Sequence, residues 1–277
     1  MNIITKQSQI FSVDLHQHTT ASDGLESVKE VLEKNSKLGV DIISISDHDT
    51  FEGYLEAKEL IKNYSLKIIP AVEITTLDYH ILGYGIDAEN FELNNVLNQN
   101  KLHRDLVLKN RVCTLQNSGL DITYEDVRDM FPTSVLSKGN LFEVLFKEQS
   151  VVTGYDRISL NLLLRSKQYD VDVKKASEEA AISAIHGAGG VAVMAHPFKE
   201  MSNMGKLESL MDFGLDGLEI QPNFGSANDK FFQYALKKDL IITYGSDYHG
   251  SRYNNRKLLG NKYKKKIDQR LLDLVNT

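Results

Sequence analysis

Short apolar runs that favour buried β-strands alternate with amphipathic helical stretches at both ends of the chain. In the N-terminal part the order is strand, helix, strand, helix, strand, at 11–15, 26–38, 41–46, 52–64 and 67–72. In the C-terminal part, strand-like runs lie at 190–195, 217–220 and 240–244, with helical stretches such as 230–238 between them. Val28, Val31 and Leu32 form a single apolar helical stripe. The alternation predicts an α/β fold with a largely parallel sheet.

Polar residues stand at the C-terminal ends of these runs. His16 follows the first run, His48 the second, His196 the run at 190–195, and Asp247 the last. In a β/α barrel the C-terminal ends of all strands lie on one face, and that face carries the functional residues. We therefore expect a TIM-like barrel, closed by an amphipathic helix at 267–275.

The strand pattern is interrupted in the middle of the chain. Between 88 and 177 amphipathic helical segments take over, with Leu102, Leu106 and Cys113 predicted to trace one buried face. We interpret this segment as an inserted helical cap domain. The predicted domains are a barrel formed by residues 1–87 and 178–277 and a cap formed by residues 88–177.

Composition excludes several classes of protein. The chain has 277 residues, 42% of them hydrophobic and 25% charged, which is the balance of a globular protein with a substantial core. A net charge of −6 argues against a duplex DNA-binding protein, which needs a basic surface. With one cysteine, no signal peptide and no membrane-length apolar run, we expect a cytoplasmic protein that does not bind membranes. The oligomeric state stays open.

Residue types that bind metals recur at the strand ends. His16 and His18 are two residues apart, so both side chains of an extended strand face one side. Taken singly, each position has a structural alternative: the turn around Asp23 reads as a helix N-cap, and Glu73 as a salt bridge at the barrel rim. No such alternative covers all nine predicted ligands, which are His16, His18, Asp23, His48, Glu73, His80, His196, Asp247 and His249. His103 and His186 lie on helical stretches and are interpreted as structural.

These positions belong to an ordered set of motifs. The set comprises His16-Gln17-His18-Thr19, Ser22-Asp23-Gly24, Asp47-His48-Asp49-Thr50, Glu73, His80-Ile81-Leu82-Gly83-Tyr84, Ala195-His196-Pro197 and Gly245-Ser246-Asp247-Tyr248-His249. It resembles the PHP phosphoesterases, a family named for its polymerase and histidinol phosphatase domains. The resemblance implies a distorted (β/α)7 TIM-like barrel that holds two to three divalent ions, for which manganese, iron and zinc all suit the donors.

The resemblance also implies how the ligands divide among the ions. One ion would be held by His16, His18, Glu73 and Asp247, a second by Glu73, His80 and His196, and a third by Asp23, His48 and His249. A metal-bridging hydroxide would then attack phosphorus in line. In this scheme Glu73 and Asp247 place the ions, and either His249 or a metal-bound water is the candidate proton donor to the leaving group.

The predicted cap narrows the substrate. Family members with an insertion after the His-Ile-Leu-Gly-Tyr segment act on nucleoside phosphates, including 3',5'-bisphosphates, and trim short RNA from its 5' end. Their cap carries a Gly-Arg-x-His element, whereas this chain reads Ser137-Lys138-Gly139-Asn140. The cap element therefore differs from the family pattern. The insertion itself implies a small phosphorylated substrate, a nucleotide or short single-stranded RNA.

Five basic residues are candidate substrate contacts. Arg104 and Arg111 lie two helical turns apart on one predicted face, Lys138 is in the cap element, and Lys199 and Arg252 lie nearer the metal face. The alternative is a solvated basic surface, which is also our interpretation of 262–266. Two other functions stay open: a histidinol-phosphate-type phosphatase, and a metal-binding regulatory module without catalysis.

Overall fold

The computed structural model describes residues 10–147, 171–201, 204–250, 257–260 and 264–275. The strands are β1 (Ile10–Asp14), β2 (Ile42–Ile43), β3 (Lys67–Ile68), β4 (Ala71–Thr75), β5 (His80–Tyr84), β6 (Val191–Met194), β7 (Gly217–Ile220), β8 (Ile241–Tyr244) and β9 (Lys264–Lys266). The helices are α1 (Val28–Lys37), α2 (Glu52–Leu60), α3 (Phe91–Asn117), α4 (Tyr124–Met130), α5 (Lys138–Lys147), α6 (Glu178–Gly187), α7 (Pro197–Glu200), α8 (Gly205–Asp212), α9 (Asp229–Lys238) and α10 (Gln269–Leu272).

The fold is mixed α/β, as predicted, but its strands form two sheets. One sheet has the order β3-β2-β1-β9 and the other β4-β5-β6-β7-β8. Pairing is parallel among β1, β2 and β3 and among β6, β7 and β8, whereas β5 runs antiparallel to both of its neighbours. Isolated bridges, Gln17 with Tyr248 and His48 with Glu73, link the sheets just beyond their strand ends. The strand pairing does not close into one barrel.

Pro70 explains the division between the sheets. The predicted strand at 67–72 is two short strands, β3 paired with β2 and β4 paired with β5, with Pro70 between them. Proline has no backbone N–H to donate to a sheet, so a continuous ladder breaks at this residue. The chain leaves the first sheet and enters the second at this point.

Local sequence accounts for most of the helices that flank the sheets. Ser27 and Glu30 form a reciprocal capping box at the start of α1, and Val28, Val31 and Leu32 are buried as predicted. The predicted closing helix is shorter, since only α10 is helical within 267–275. The basic segment before it contains β9, which pairs antiparallel with β1 and so is not merely a solvated flank.

The inserted segment contains a second hydrophobic core. It packs α3, α4 and α5 together through buried side chains, namely Leu108, Val112, Leu115, Leu120, Ile122, Val127, Leu136, Leu141, Val144 and Leu145. The predicted apolar face of α3 was wrong, because Leu102 is 50% exposed and Cys113 is exposed. The buried face instead follows Leu108, Val112 and Leu115, which share one side of the helix. Among the described residues, no helix is long and apolar enough to cross a membrane.

Candidate metal centre

Nine polar side chains converge where the strands of the two sheets end. They are His16 and His18 after β1, Asp23 in the following turn, His48 after β2, Glu73 on β4, His80 on β5, His196 after β6, and Asp247 and His249 after β8. The structure brings together all nine residues that the sequence singled out, in groups whose ligand atoms lie within 4.8 Å of one another. The strand ends therefore supply a single cluster.

Glu73 lies at the middle of this cluster and is fully buried. Its two oxygens lie 3.1 Å from a ring nitrogen of each of five histidines: His16, His18, His48, His80 and His196. Burial alone would raise the pKa of Glu73, but the charges of His48 and His16 hold it well below its ordinary value. Glu73 is thus an ionised acceptor shared among the imidazoles.

Asp23 is the centre of a second group of close contacts with histidines, on the side of the cluster that faces the inserted helices. Its Oδ1 lies 3.3 Å from His249 Nε2 and 3.9 Å from nitrogens of His18 and His48. Ser137, just before α5, donates a hydrogen bond of 3.1 Å to the other Asp23 oxygen. The segment that departs from the family pattern therefore contacts the cluster directly.

Several converging atoms are buried without a hydrogen-bond partner in the structure. They are Asp23 Oδ1 and the Nδ1 atoms of His18, His48, His80 and His196. The short distances from the His48 and His80 nitrogens to Glu73, and from Asp23 to His249, are close contacts without hydrogen-bond geometry. Buried polar atoms are nearly always paired, because losing water without a replacement costs free energy. Divalent cations provide such a replacement, and a mixture of imidazole and carboxylate donors suits them. The residues therefore fit a metal centre.

The protonation preferences of the histidines differ across the cluster. Burial alone would lower the pKa of His18, but hydrogen bonds to Asp247 and Glu73 raise it to about 9. The pKa of His249 is lowered, chiefly by burial and then by the charge of His18. His249 is therefore neutral at pH 7, the form of imidazole that binds cations.

Lys199 faces the cluster from α7. Its Nζ lies 2.6 Å from Asp247 Oδ2, and it also stands over the rings of Phe198 and Phe224. Asp247 Oδ1 in turn lies 3.6 Å from His18 Nε2. The structure thus places a positive charge beside one of the predicted ligands.

Glu219 on β7 is a buried residue of the site that the sequence analysis missed. It accepts a hydrogen bond of 2.8 Å from the His16 ring, at Nδ1, and one of 2.7 Å from the backbone N–H of His196. A carboxylate on the far nitrogen of a metal-binding histidine fixes the orientation of the ring. The available signal was a lone acid inside an otherwise apolar strand.

The predicted substrate residue Arg104 is paired with residues that follow β2 and end β4. Its Nε donates to Asp49 Oδ2 at 2.7 Å, and its Nη2 donates to the Thr75 hydroxyl. Asp49 is fully buried and accepts a second hydrogen bond from Asn100. The pKa of His48 is lowered well below its ordinary value. Burial is the largest cause, and the positive charge of Arg104 lowers it further. Arg104 therefore acts electrostatically on the cluster.

Lys175 is a further basic residue that the sequence analysis did not single out. Its Nζ donates to the carbonyl of Leu77 at 2.9 Å. Burial, followed by the charge of Arg104, lowers the pKa of Lys175. The positive charges of Arg104 and Lys175 therefore lie close enough to repel each other.

The remaining predicted substrate contacts are Lys138, Arg111 and Arg252, and each has a different environment. Lys138 begins α5 and stands over the Phe142 ring, Arg111 lies two turns along α3 from Arg104, and Arg252 is outside the described residues. The two histidines predicted to be structural bond elsewhere: His103 to the Val173 carbonyl and His186 to Asp216.

Comparison with known proteins identifies the family. The PHP domain pattern matches residues 14–163, more than half of the chain. The chain belongs to the PHP domain family. A solved structure from Bifidobacterium adolescentis, described as a metal-dependent phosphoesterase, shares 26% identity with this chain at a TM-score of 0.80, and the alignment covers 95% of this chain and 94% of that one.

Curated relatives of this PHP protein are phosphoesterases with different substrates. A phosphoribosyl 1,2-cyclic phosphate 1,2-diphosphodiesterase of Eggerthella lenta is 27% identical, with 86% of this chain and 94% of the relative covered. A 5'-3' exoribonuclease of Haemophilus influenzae is 28% identical (85% and 89% covered). A 3',5'-nucleoside bisphosphate phosphatase of Chromobacterium violaceum is 26% identical (86% and 87% covered). The PHP protein is accordingly a metal-dependent phosphoric ester hydrolase.

Proposed function

We propose that this PHP protein hydrolyses a terminal phosphoester of a nucleotide, with 3',5'-nucleoside bisphosphates and the 5' end of short RNA as its substrate class. The convergence of nine histidine and carboxylate donors on one buried cluster carries the proposal. Basic residues near the cluster favour an anionic substrate. A groove beside the cluster favours a substrate larger than a simple phosphate.

The cluster would hold two to three divalent ions, with manganese, iron or zinc suited to the donors. One group is His18, Asp23, His48 and His249, and a second is His16, His18 and Glu73, with Asp247 close to both histidines. When bound, such ions activate water and neutralise phosphate oxygens. That His249 protonates the leaving oxygen stays a prediction from the sequence.

The protein's own cations bind and orient the phosphate in this proposal. Arg104 is held in place by Asp49 and Thr75, so its guanidinium is fixed before the substrate arrives. Lys199 lies beside Asp247 at another part of the cluster, and Lys175 lies near enough to Arg104 for the two positive charges to repel each other. A phosphate between these side chains gains charge-assisted hydrogen bonds from two directions. Lys138, Arg111 and Arg252 remain secondary candidates from the sequence.

A groove beside the cluster suits the rest of a nucleotide. It has a volume of about 830 Å³ and runs between α3, the segment at 133–136 and the loops that follow His18 and Asp49. Leu55 and Leu102, both among the exposed large hydrophobic residues, line it. Its charged lining residues are two basic ones and three acidic ones, namely Lys101, Arg128, Glu52, Glu56 and Asp105. Apolar walls can pack against a nucleobase, and a lysine can bind a second phosphate.

The finer architecture is part of the same proposal. We interpret the two linked sheets as a distorted (β/α)7 barrel formed by residues 1–87 and 178–277. The helices of residues 88–177 then form the cap that closes over the substrate. The separate core of α4, α5 and the C-terminal half of α3 supports a cap, while Leu93 and Leu97 of α3 pack in the core of the sheets.

A substrate panel tests the proposal. Purified protein with manganese is assayed on nucleoside 3',5'-bisphosphates, 5'-phosphorylated short RNA, nucleoside monophosphates, a cyclic phosphodiester and histidinol phosphate. We expect turnover to be highest on the bisphosphates or the RNA. Preference for histidinol phosphate would contradict the nucleotide assignment, and no turnover of any substrate would contradict the proposed hydrolysis.

Two histidine variants distinguish loss of a predicted metal ligand from loss of a histidine elsewhere in the molecule. His48→Ala removes a predicted ligand and should lower kcat/KM by at least about 100-fold. His186→Ala is the matched control, because His186 pairs with Asp216 away from the cluster and its loss should leave the rate unchanged.

A further inference from the structure

A carboxylate beyond the nine predicted ligands faces the cluster from α7. Glu200 Oε1 lies 3.5 Å from His80 Nδ1 and 3.4 Å from His196 Nδ1. These three residues form a group able to hold a metal ion. The ligand set implied by the family resemblance pairs the two histidines with Glu73 instead.

The backbone fixes the Glu200 carboxylate in this orientation. Its other oxygen, Oε2, accepts a hydrogen bond of 3.0 Å from the backbone N–H of His80. The carboxylate is thereby anchored at the start of β5, with Oε1 presented to both imidazoles. The side chains of His196, Glu200 and His80 are 7%, 19% and 27% exposed, so the group is largely shielded from water.

The nitrogen atoms that face Glu200 have no hydrogen-bond partner in the structure. His80 Nδ1 and His196 Nδ1 are both buried and make no hydrogen bond, although His80 Nδ1 also lies 3.1 Å from Glu73 Oε1, so this nitrogen faces two carboxylates. A direct N–H to oxygen bond would shorten the separation to about 2.7–3.2 Å. Donors that share a tetrahedral ion at ligand distances near 2.1 Å lie about 3.4 Å apart. The observed separations of 3.4 and 3.5 Å match the shared-ion geometry.

The second ring nitrogen of His196, Nε2, already contacts another carboxylate. His196 Nε2 is hydrogen-bonded to Glu73 Oε1 at 3.1 Å. A metal-binding histidine usually gives its second nitrogen to a carboxylate in this way, which fixes the ring. Glu73 therefore orients His196, and Nδ1 is left to face Glu200.

We propose that Glu200 is a direct metal ligand, which completes one cation site with His80 and His196. The inference rests on the metal centre of the proposed function and adds a tenth donor to it. The site takes a divalent ion that accepts mixed nitrogen and oxygen donors, such as zinc or manganese.

Counting bound zinc tests this assignment. Wild type, Glu200→Gln and Glu200→Ala are dialysed against a buffered free zinc concentration that fills the wild-type sites, and zinc per chain is measured. We expect both variants to hold one ion fewer than wild type. Glu59→Gln, an exposed acid on α2, is the matched control and should hold the wild-type number.

The glutamine variant distinguishes binding from positioning. If Glu200 only oriented His196, the amide oxygen of Glu200→Gln would still accept the Nδ1 proton and zinc content would equal wild type. That result would overturn the proposal, as would simultaneous loss of every ion. Thermal unfolding of the chelated variants verifies that they are folded. No substrate is involved, so failure here leaves the hydrolysis assay unaffected, whereas a wild type without zinc would count against the proposed function itself.

Discussion

At the scale of single residues, the metal-binding side chains are held in position by close packing, and Gly245 is an example. A Cβ on Gly245 would lie 2.4 Å from Glu219 Oε1 and 2.3 Å from the Cβ of His16. Both contacts are shorter than real structures allow, so Glu219 must move and the backbone at His16 or Gly245 must shift as well. Glycine is therefore required at this position to keep the carboxylate against the histidine ring.

Gly245→Ala should accordingly weaken the site. We expect a loss of about 1–3 kcal/mol in the free energy of unfolding, the cost of overpacking a full interior. Zinc affinity should also fall by about tenfold, because Glu219 no longer orients His16. Gly187→Ala is the control, since nothing lies within 4 Å of the added Cβ. Equal effects of the two substitutions in urea titrations would contradict this account.

At the scale of elements, α3 is attached to the strand ends by a buried ion pair. Arg104 and Asn100 both reach Asp49, and Asn100 also donates to the Thr75 carbonyl. The Asp49 side chain is fully buried and that of Arg104 is 14% exposed, so the pair is shielded from water. One polar network therefore joins α3 to the segments next to the cluster.

Arg104→Met should destabilise the protein by about 3 kcal/mol, because removing one partner leaves Asp49 buried with its charge uncompensated. Lys109→Met, on the same helix, breaks an ion pair with Asp105 whose lysine is 51% exposed. That control should cost less than about 1 kcal/mol. Urea unfolding measures both variants, and comparable losses would show that the buried pair has no special role.

The start of α6 is attached to the β4–β5 hairpin by Glu178, and this contact should depend on pH. Partial burial would raise the pKa of Glu178, but hydrogen bonds from the Asp78 N–H and the Thr76 hydroxyl lower it below the ordinary 4.5. The ionised form is thus favoured in the folded state. Its contribution to stability is present above pH 4.5 and is lost as pH falls through the folded pKa.

Glu178→Gln should therefore be about 1 kcal/mol less stable than wild type at pH 7. The difference should shrink as pH falls below 4.5, where the wild-type carboxylate becomes protonated. Glu179→Gln, the exposed neighbour, should show no such trend. Urea unfolding between pH 3 and pH 7 provides the comparison, and a difference that did not change with pH would refute this role.

Across the whole molecule, sequence patterns predicted the α/β class and the residues that meet at the strand ends. Strand ends are predictable because β-branched runs and the polar residues after them are local features. The partition into two sheets was missed, since the consequence of Pro70 depends on which strands pair. Glu219 and Glu200 were missed for a similar reason, because their partners are far away in sequence. The wrong face of α3 arose because apolar spacing alone did not reveal what packs against the helix.

The central claim is that the strand-end cluster is a metal centre that hydrolyses phosphoesters. It is tested most directly by adding manganese back to chelated protein while bound metal per chain and phosphate release are measured together. We predict no phosphate release without metal, and a rate that rises with bound manganese and saturates at two to three ions per chain. Hydrolysis at an undiminished rate by metal-free protein, or a wild type that binds no manganese, would contradict it.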